Sequence, residues 1–362
     1  MLSSPAMSHV FISPHPDDAA LSCGGLIASL RELGQQVTII TVFSGGPASG
    51  TGMTDYQRAA LGFGSKAIWP NTEAFNRTAI ASDHPIVPDS AGAPWAADPE
   101  RIAATQERAN TQARQFWQRA SWTRSANITN QETSDRPLAD GVGGQGTLAV
   151  MDFAAADATA LRKAEDERYA WFMECSVIDL DLPDAVYRGY EGDDQLLGGA
   201  RDDDEAPYDI LRREILRLEP QMVYFPLGVG GHVDHQLCRE VAVGLLGEGR
   251  RWVMPGPDFA GRLSFYEDFP YAWWNDFNGP VDLPVSELGL PDGVELEARY
   301  ADIGEHLERK AAGIRSYASQ IVRLFESDQG MFDDLAGYHH RVGVAGGTGS
   351  GVAERYWSTI RR

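Results

Sequence analysis

"FISPHPDDAALSCGG", residues 11–25, sets one imidazole, a proline and two adjacent carboxylates right after an apolar, β-like run and right before a helical one. Open α/β sheets bind ligands at the carboxyl ends of their strands, so charge concentrated at such a junction marks a working position. A nucleotide-binding turn would carry glycines there, letting backbone amides approach a pyrophosphate. Here the turn carries Asp17 and Asp18. The pair repels phosphate and favours a cation.

Working outward, residues 9–14 predict a short buried strand, and residues 19–33 a helix that Gly34 ends. Residues 36–43, "QVTIITVF", are β-branched and apolar almost throughout, as in a strand covered on both faces. Strand, helix and strand make a right-handed βαβ unit. At 362 residues, the chain suits one large α/β domain with insertions, or two domains.

From residue 46 to about 160 the pattern loosens into Gly, Pro, Ser, Asn and Thr, which predicts an insertion. Within it only residues 99–122 have a helical period. Its tryptophans, Trp69, Trp95, Trp117 and Trp122, predict a folded segment, because disordered chains are poor in aromatics. They are expected to pack the insertion onto the main domain, with lining of a ligand cleft as the rarer role. "DGVGGQGT", residues 140–147, reads as a mobile loop.

Helices are predicted over 157–175 and 208–218, the second stopping before Pro220. "QMVYFPLGVGGHVDHQLCREVAVGLL" then repeats the opening arrangement: a strand over 221–226, a glycine loop, and a helix over 233–246. "RLSFYEDFPYAWW" reads as a strand and a loop, and 303–325 as one helix. "VAGGTGSG", residues 344–351, reads as a surface loop, because it lacks the Lys-Ser/Thr ending of a phosphate loop.

Lys plus Arg number 31 against 52 Asp plus Glu, a net charge of −21, and no basic cluster stands out. That excludes nucleic acid and anionic membranes as partners. Three distant cysteines, Cys23, Cys175 and Cys238, do not make a disulfide framework. With no leader-like or membrane-spanning apolar run, a cytoplasmic protein is expected.

The two charged junctions lie on one sheet edge if the sheet is parallel. Imidazole with carboxylate suits zinc, which in catalytic sites takes three protein ligands and keeps one position open. His15, Asp18 and His235 would make that set. Asp17 is then placed to accept a proton from the attacking water, His232 to stabilise an oxyanion and protonate a leaving nitrogen, and Asp234 to orient an imidazole. Alone, an Asp-Asp pair is ordinarily a helix cap and a His-x-x-His surface decoration. Their joint occurrence at two junctions, each beside glycines that permit close approach, changes that balance.

These residues carry a resemblance. "SPHPDDAALSCGG" together with "GHVDH" resembles the PIG-L/LmbE-like family of zinc-dependent N-deacetylases (N-acetylglucosaminyl deacetylase-like), and "RKAEDERYAWFMEC", "SFYEDFPYA", "YASQI" and "ERYW" resemble further family segments. The resemblance implies one α/β domain over 1–362, a Rossmann-like three-layer sandwich with a mainly parallel sheet and the insertion at about 46–160. It implies zinc on His15, Asp18 and His235, the base at Asp17 and the oxyanion-stabilising acid at His232. The chain departs from the pattern at "HVDH", where the family often has His-Pro-Asp-His, and at Gly230 and Gly231, where some members bring a tyrosine.

The expected activity is hydrolysis of an N-acyl group, foremost acetyl, from an amino sugar in a glycoconjugate or secondary metabolite. The rival readings are an amidase acting on a thiol-sugar conjugate or another N-acyl substrate, and a non-catalytic sugar- or metal-binding protein. Glu267 and Asp268 are candidate sugar contacts. Fe2+ or Co2+ in place of Zn2+, and a homo-oligomer, are left open by the sequence.

Overall fold

The computed structural model describes residues 7–47, 52–61, 155–248, 259–275, 288–325 and 327–362. The expected helix at 99–122, the four tryptophans and the loop at 140–147 lie outside the described residues.

Strand β1, Ser8–Ser13, is apolar enough to be the middle of the sheet, and Val10, Phe11 and Ile12 are buried. It leads through residues 14–17 into helix α1, Asp18–Glu32, and then strand β2, Gln36–Thr41. Helix α2, Ala155–Met173, precedes strand β3, Ser176–Asp179, and helix α3, Tyr208–Leu218, precedes strand β4, Met222–Pro226. Helix α4, Val233–Glu248, and strand β5, Leu263–Tyr266, follow. The last third holds strand β6, Val294–Asp302, helices α5, Leu307–Ile314, α6, Ala318–Phe325, and α7, Asp328–Gly346, and strand β7, Ala353–Arg361.

The seven strands run in the order β3-β2-β1-β4-β5-β7-β6. Phe11 of β1 stands opposite Ile39 on one side and Tyr224 on the other, both in parallel register. β3 and β5 extend the parallel part, while β7 pairs antiparallel with both β5 and β6. The architecture is a Rossmann-like three-layer α/β fold with a mainly parallel sheet. Because the chain leaves β1 toward β2 and later returns to its opposite side as β4, the strand order reverses between β1 and β4. In such sheets that reversal opens a crevice beyond the carboxyl ends of the strands.

The first βαβ unit, α3, β4 and α4 lie within two or three residues of the sequence expectation. Three elements differ. Residues 303–325 form two helices, α5 and α6, with a turn between them in which Ser316 and Tyr317 amides bond back to Gly313 and Ile314. Val344 to Gly346 end α7, and only the residues beyond Gly347, a left-handed C-cap, form the expected loop. Gly343 lets α7 lie on that loop, since a Cβ there would stand 2.3 Å from the Gly351 carbonyl carbon. β3, β6 and β7 had no counterpart in the sequence reading.

A buried ion pair locks α1 in place. Lys310 of α5, with no exposure, bonds Glu354 Oε1 at 2.7 Å and His339 Nε2 at 2.9 Å. The Glu354 carboxylate accepts the Gly25 and Leu26 amides of α1 at 2.8 and 2.7 Å. A buried pair of this kind persists because each charge keeps hydrogen-bond partners that replace water.

Candidate metal centre

The residues after β1 and after β4 meet at the reversal point of the sheet. Ser13 Oγ accepts the Ala19 amide at 3.0 Å and donates to the His15 carbonyl at 2.6 Å, which ties β1 to α1 across the tight turn. Within that turn Asp17 adopts φ 109°, ψ −33°. A side chain seldom accepts this backbone, which costs on the order of 1–3 kcal/mol and is met mainly at functional positions.

The turn delivers His15, Asp17 and Asp18, and the start of α4 delivers His232, Asp234 and His235, all buried. Asp18 Oδ2 lies 3.2 Å from His15 Nδ1 and 3.3 Å from His235 Nε2. Tetrahedral ligation with bonds of about 2.1 Å separates ligand atoms by about 3.4 Å, so these spacings fit a divalent ion. The outer ring nitrogens are taken: His15 Nε2 faces Asp234 Oδ2 at 2.8 Å, and His235 Nδ1 faces Asp268 Oδ1 at 2.7 Å. Carboxylates on the far nitrogens of two imidazoles, orienting the near ones, are the usual surroundings of a metal-binding histidine pair.

Among the described residues the trios whose ligand atoms all lie within 4.8 Å of one another are His15, His232 and His235, and His15, Asp184 and Asp234, so the expected set shares His15 and His235 with the first and adds Asp18 through its two short contacts. The second trio is already satisfied: Arg188 bonds Asp234 Oδ1 at 2.6 Å, and Arg162 stands 3.6 Å from Asp184 Oδ2.

Charge follows geometry. Burial pushes Asp17 up, Asp18 beside it adds to the rise, and despite Arg162 at 3.8 Å its pKa is raised to about 7. Asp18 is likewise penalised by burial, but the His235 and His15 imidazoles outweigh that and hold it well below the usual carboxylate range. Burial alone would lower His15; Asp184, Asp18 and Asp234 bring it instead to about 9. His232 is lowered by burial and then by His15, so its ring is neutral. His232 Nδ1 accepts the Asp234 amide at 3.2 Å, which leaves the ring proton on Nε2.

The cleft over these groups is lined by all of them except Asp234, together with Arg162, Asp184, Tyr271, Gln320, Arg323 and several aliphatic side chains. Glu267 and Asp268 differ from the sugar-contact expectation. Glu267 accepts from Tyr338 Oη, Arg355 and Trp357 Nε1, and Asp268, besides holding His235, accepts the Gly228 and Val229 amides at 2.7 and 2.9 Å. Both carboxylates are buried and spent inside the protein. Cys23 and Cys238 are buried thiols whose pKa burial raises, as inert core residues would be.

Four residues at or around the site were not singled out by the sequence reading as site residues: Arg162, Asp184, Tyr271 and Arg323. Tyr271 is the nearest thing to a missed signal. Its ring lies edge-on to His235 at 5.9 Å and fills the space that Gly230 leaves open, since a Cβ at Gly230 would stand 2.6 Å from Tyr271 Cγ. The glycines before His232 thus admit an aromatic ring from the segment after β5.

Imidazoles and carboxylates gathered at the mouth of a doubly wound sheet, with a buried carboxylate of raised pKa beside them, are the groups a metal-assisted hydrolase would use. Residues 10–73 match the family model described as PIG-L, GlcNAc-PI de-N-acetylase. A 2'-N-acetylparomamine deacetylase of Streptomyces fradiae is 31% identical over 143 residues, which cover 39% of this chain and 46% of the relative, so the match spans about half of that protein. Teicoplanin deacetylase, solved in a zinc-inhibited form, superposes with a TM-score of 0.54 at 19% identity over 98% of both chains. The A40926 pseudoaglycone deacetylase gives 0.52 at 20% identity over 98% of this chain and 97% of its own; both likenesses concern the fold. The family likeness rests on residues 10–73, which carry the first of the two charged junctions.

Proposed function

We propose that the chain is a single-domain, metal-dependent N-deacetylase acting on an amino sugar in a glycoconjugate or secondary metabolite. The observation that carries this is Asp17: a buried carboxylate whose pKa is raised to about 7, in a strained turn, adjoining the cluster of His15, Asp18 and His235. Pure binding has no use for such a group. The names of the curated relative and of the fold neighbours support the amino-sugar class.

His15, Asp18 and His235 would hold the ion, with Zn2+ the best match and Fe2+ or Co2+ compatible with the same donors. The ion would supply Lewis-acid polarisation of the amide carbonyl and a lowered pKa for water. Asp17 accepts a proton from the attacking water as the new C–O bond forms. Arg162, whose Nη2 donates to the Pro16 carbonyl at 3.0 Å, keeps that carboxylate in register. His232, neutral with its proton on Nε2, donates to the developing oxyanion. As the C–N bond breaks, the proton held by Asp17 goes to the leaving amine, giving acetate and the free amino sugar.

The test is acetate release from a panel of N-acetylglucosamine-containing compounds, using as-purified and chelator-stripped protein. Release that vanishes on stripping and returns with Zn2+ is expected. Asp17→Asn should lower turnover by about 10²–10⁴-fold, the usual weight of a general base, while retaining bound metal by elemental analysis. Wild-type turnover in that variant would refute the assignment.

A further inference from the structure

Arg323 is unlike the other charged groups of the cleft. It is exposed on α6 at the mouth, where it lines the cavity with Gln320, Leu324 and Tyr271. Among the described residues its only hydrogen bond is Nη1 to Gln320 Oε1 at 3.5 Å, and it forms no ion pair. In a chain with 52 acidic side chains, an arginine left unpaired beside an acidic centre is out of the ordinary. Its position is also braced. Glu165 of α2 accepts the Ser319 amide at 2.9 Å and its hydroxyl at 2.5 Å, and Gln320 Nε2 bonds the Leu61 carbonyl at 3.1 Å.

The cations and anions lining the cleft balance in pairs. Arg162 lies between Asp17 and Asp184, at 3.8 and 3.6 Å. A divalent ion would offset the carboxylate of Asp18 and that of Asp17. Asp193, whose carboxylate feels the Arg323 charge but makes no ion pair with it, bonds Tyr56 Oη at 3.3 Å and is not part of the cavity lining. Arg323 is what remains over, a planar fork of donors suited to a carboxylate in two-point contact.

We propose that Arg323 is a specificity residue that binds a carboxylate carried by the substrate outside its N-acyl group, so that the preferred substrates are acidic glycosides. This rests on the deacetylase reading and lies outside the segment matched by the family model, residues 10–73.

The experiment compares N-acetylglucosamine glycosides bearing a carboxylate, either at C6 or on the aglycone, with the methyl ester of each. Wild-type protein should favour one acid over its ester by about tenfold or more in kcat/KM, mostly through KM, and added salt should erode the preference. Arg323→Gln should bring acid and ester within about twofold, and Arg323→Lys should keep part of the difference. Affinity of the same pairs for the Asp17→Asn protein, by calorimetry, reads the contact without turnover, so a failure of the deacetylase reading would leave this measurement standing. Equal handling of acid and ester by the wild type, or a preference that survives in Arg323→Gln, would overturn the proposal.

Discussion

Asp268 shows how much of the centre is built from residues that never touch it. Its Oδ2 is committed to two backbone amides, so only Oδ1 is left for His235 Nδ1. In Asp268→Asn the amide oxygen would keep the two backbone donors and turn the NH2 group toward His235, forcing a proton onto Nε2, the nitrogen that faces Asp18. That tautomer cannot ligate. Affinity for Zn2+ should fall by about 10–100-fold, the usual weight of such an outer carboxylate, as read by calorimetric titration. Unchanged affinity would show that His235 does not need this partner. None of this was legible along the chain. The motif after β1 and the "HVDH" of α4 stand out because ligand types crowd into a few residues. Asp268 reads as a loop acid beside Glu267, and only the folding of β5 next to β4 separates their roles.

At the scale of elements, helix α2 does two things at once. Its Arg162 faces Asp17, while one turn later Glu165 caps the start of α6, which bears Arg323. Burial raises Glu165 to about 7, against the pull of its Ser319 bonds. A carboxyl whose pKa is higher folded than unfolded holds its proton more tightly when folded. Its contribution to stability is therefore greatest below about 4.5, the unfolded value, declines as pH rises toward 7, and is flat above. The span is on the order of a few kcal/mol. Glu165→Gln keeps an acceptor for the Ser319 amide and does not titrate. Its Tm should thus gain on the wild type between pH 4.5 and 7.5, and parallel Tm profiles would rule this out. Elements missed in the sequence were not all silent. β6, "VELEARYAD", alternates apolar and polar side chains at the period of a half-buried strand. By contrast α7 hides behind four glycines, which local propensity penalises; Gly343 is required by the packing on the loop at Gly351 and Gly346 by the Tyr300 ring.

For the whole molecule, charge and topology were the readable parts. A net charge of −21 argues against polyanionic partners, and one βαβ unit with a second charged junction pointed to a parallel sheet with both junctions at its carboxyl edge. The antiparallel β7-β6 extension was not legible, because it depends on β7 returning to β5 from nearly 90 residues further along the chain. No helix of the described residues is long and apolar enough to cross a membrane.

The neighbouring register of β1 and β4, His9 opposite Met222, has a consequence in time. Residues 15–18 and 232–235 can face one another only after the chain has closed a loop of some two hundred residues, a slow and entropically costly event. A cation bridging the two junctions can therefore stabilise only what exists after that closure. Divalent metal should slow unfolding while leaving the refolding rate almost untouched, as expected of contacts absent from the transition state. Stopped-flow traces with and without Zn2+ would show it, and a refolding rate that climbed with metal would instead mean that the two halves of the centre meet early.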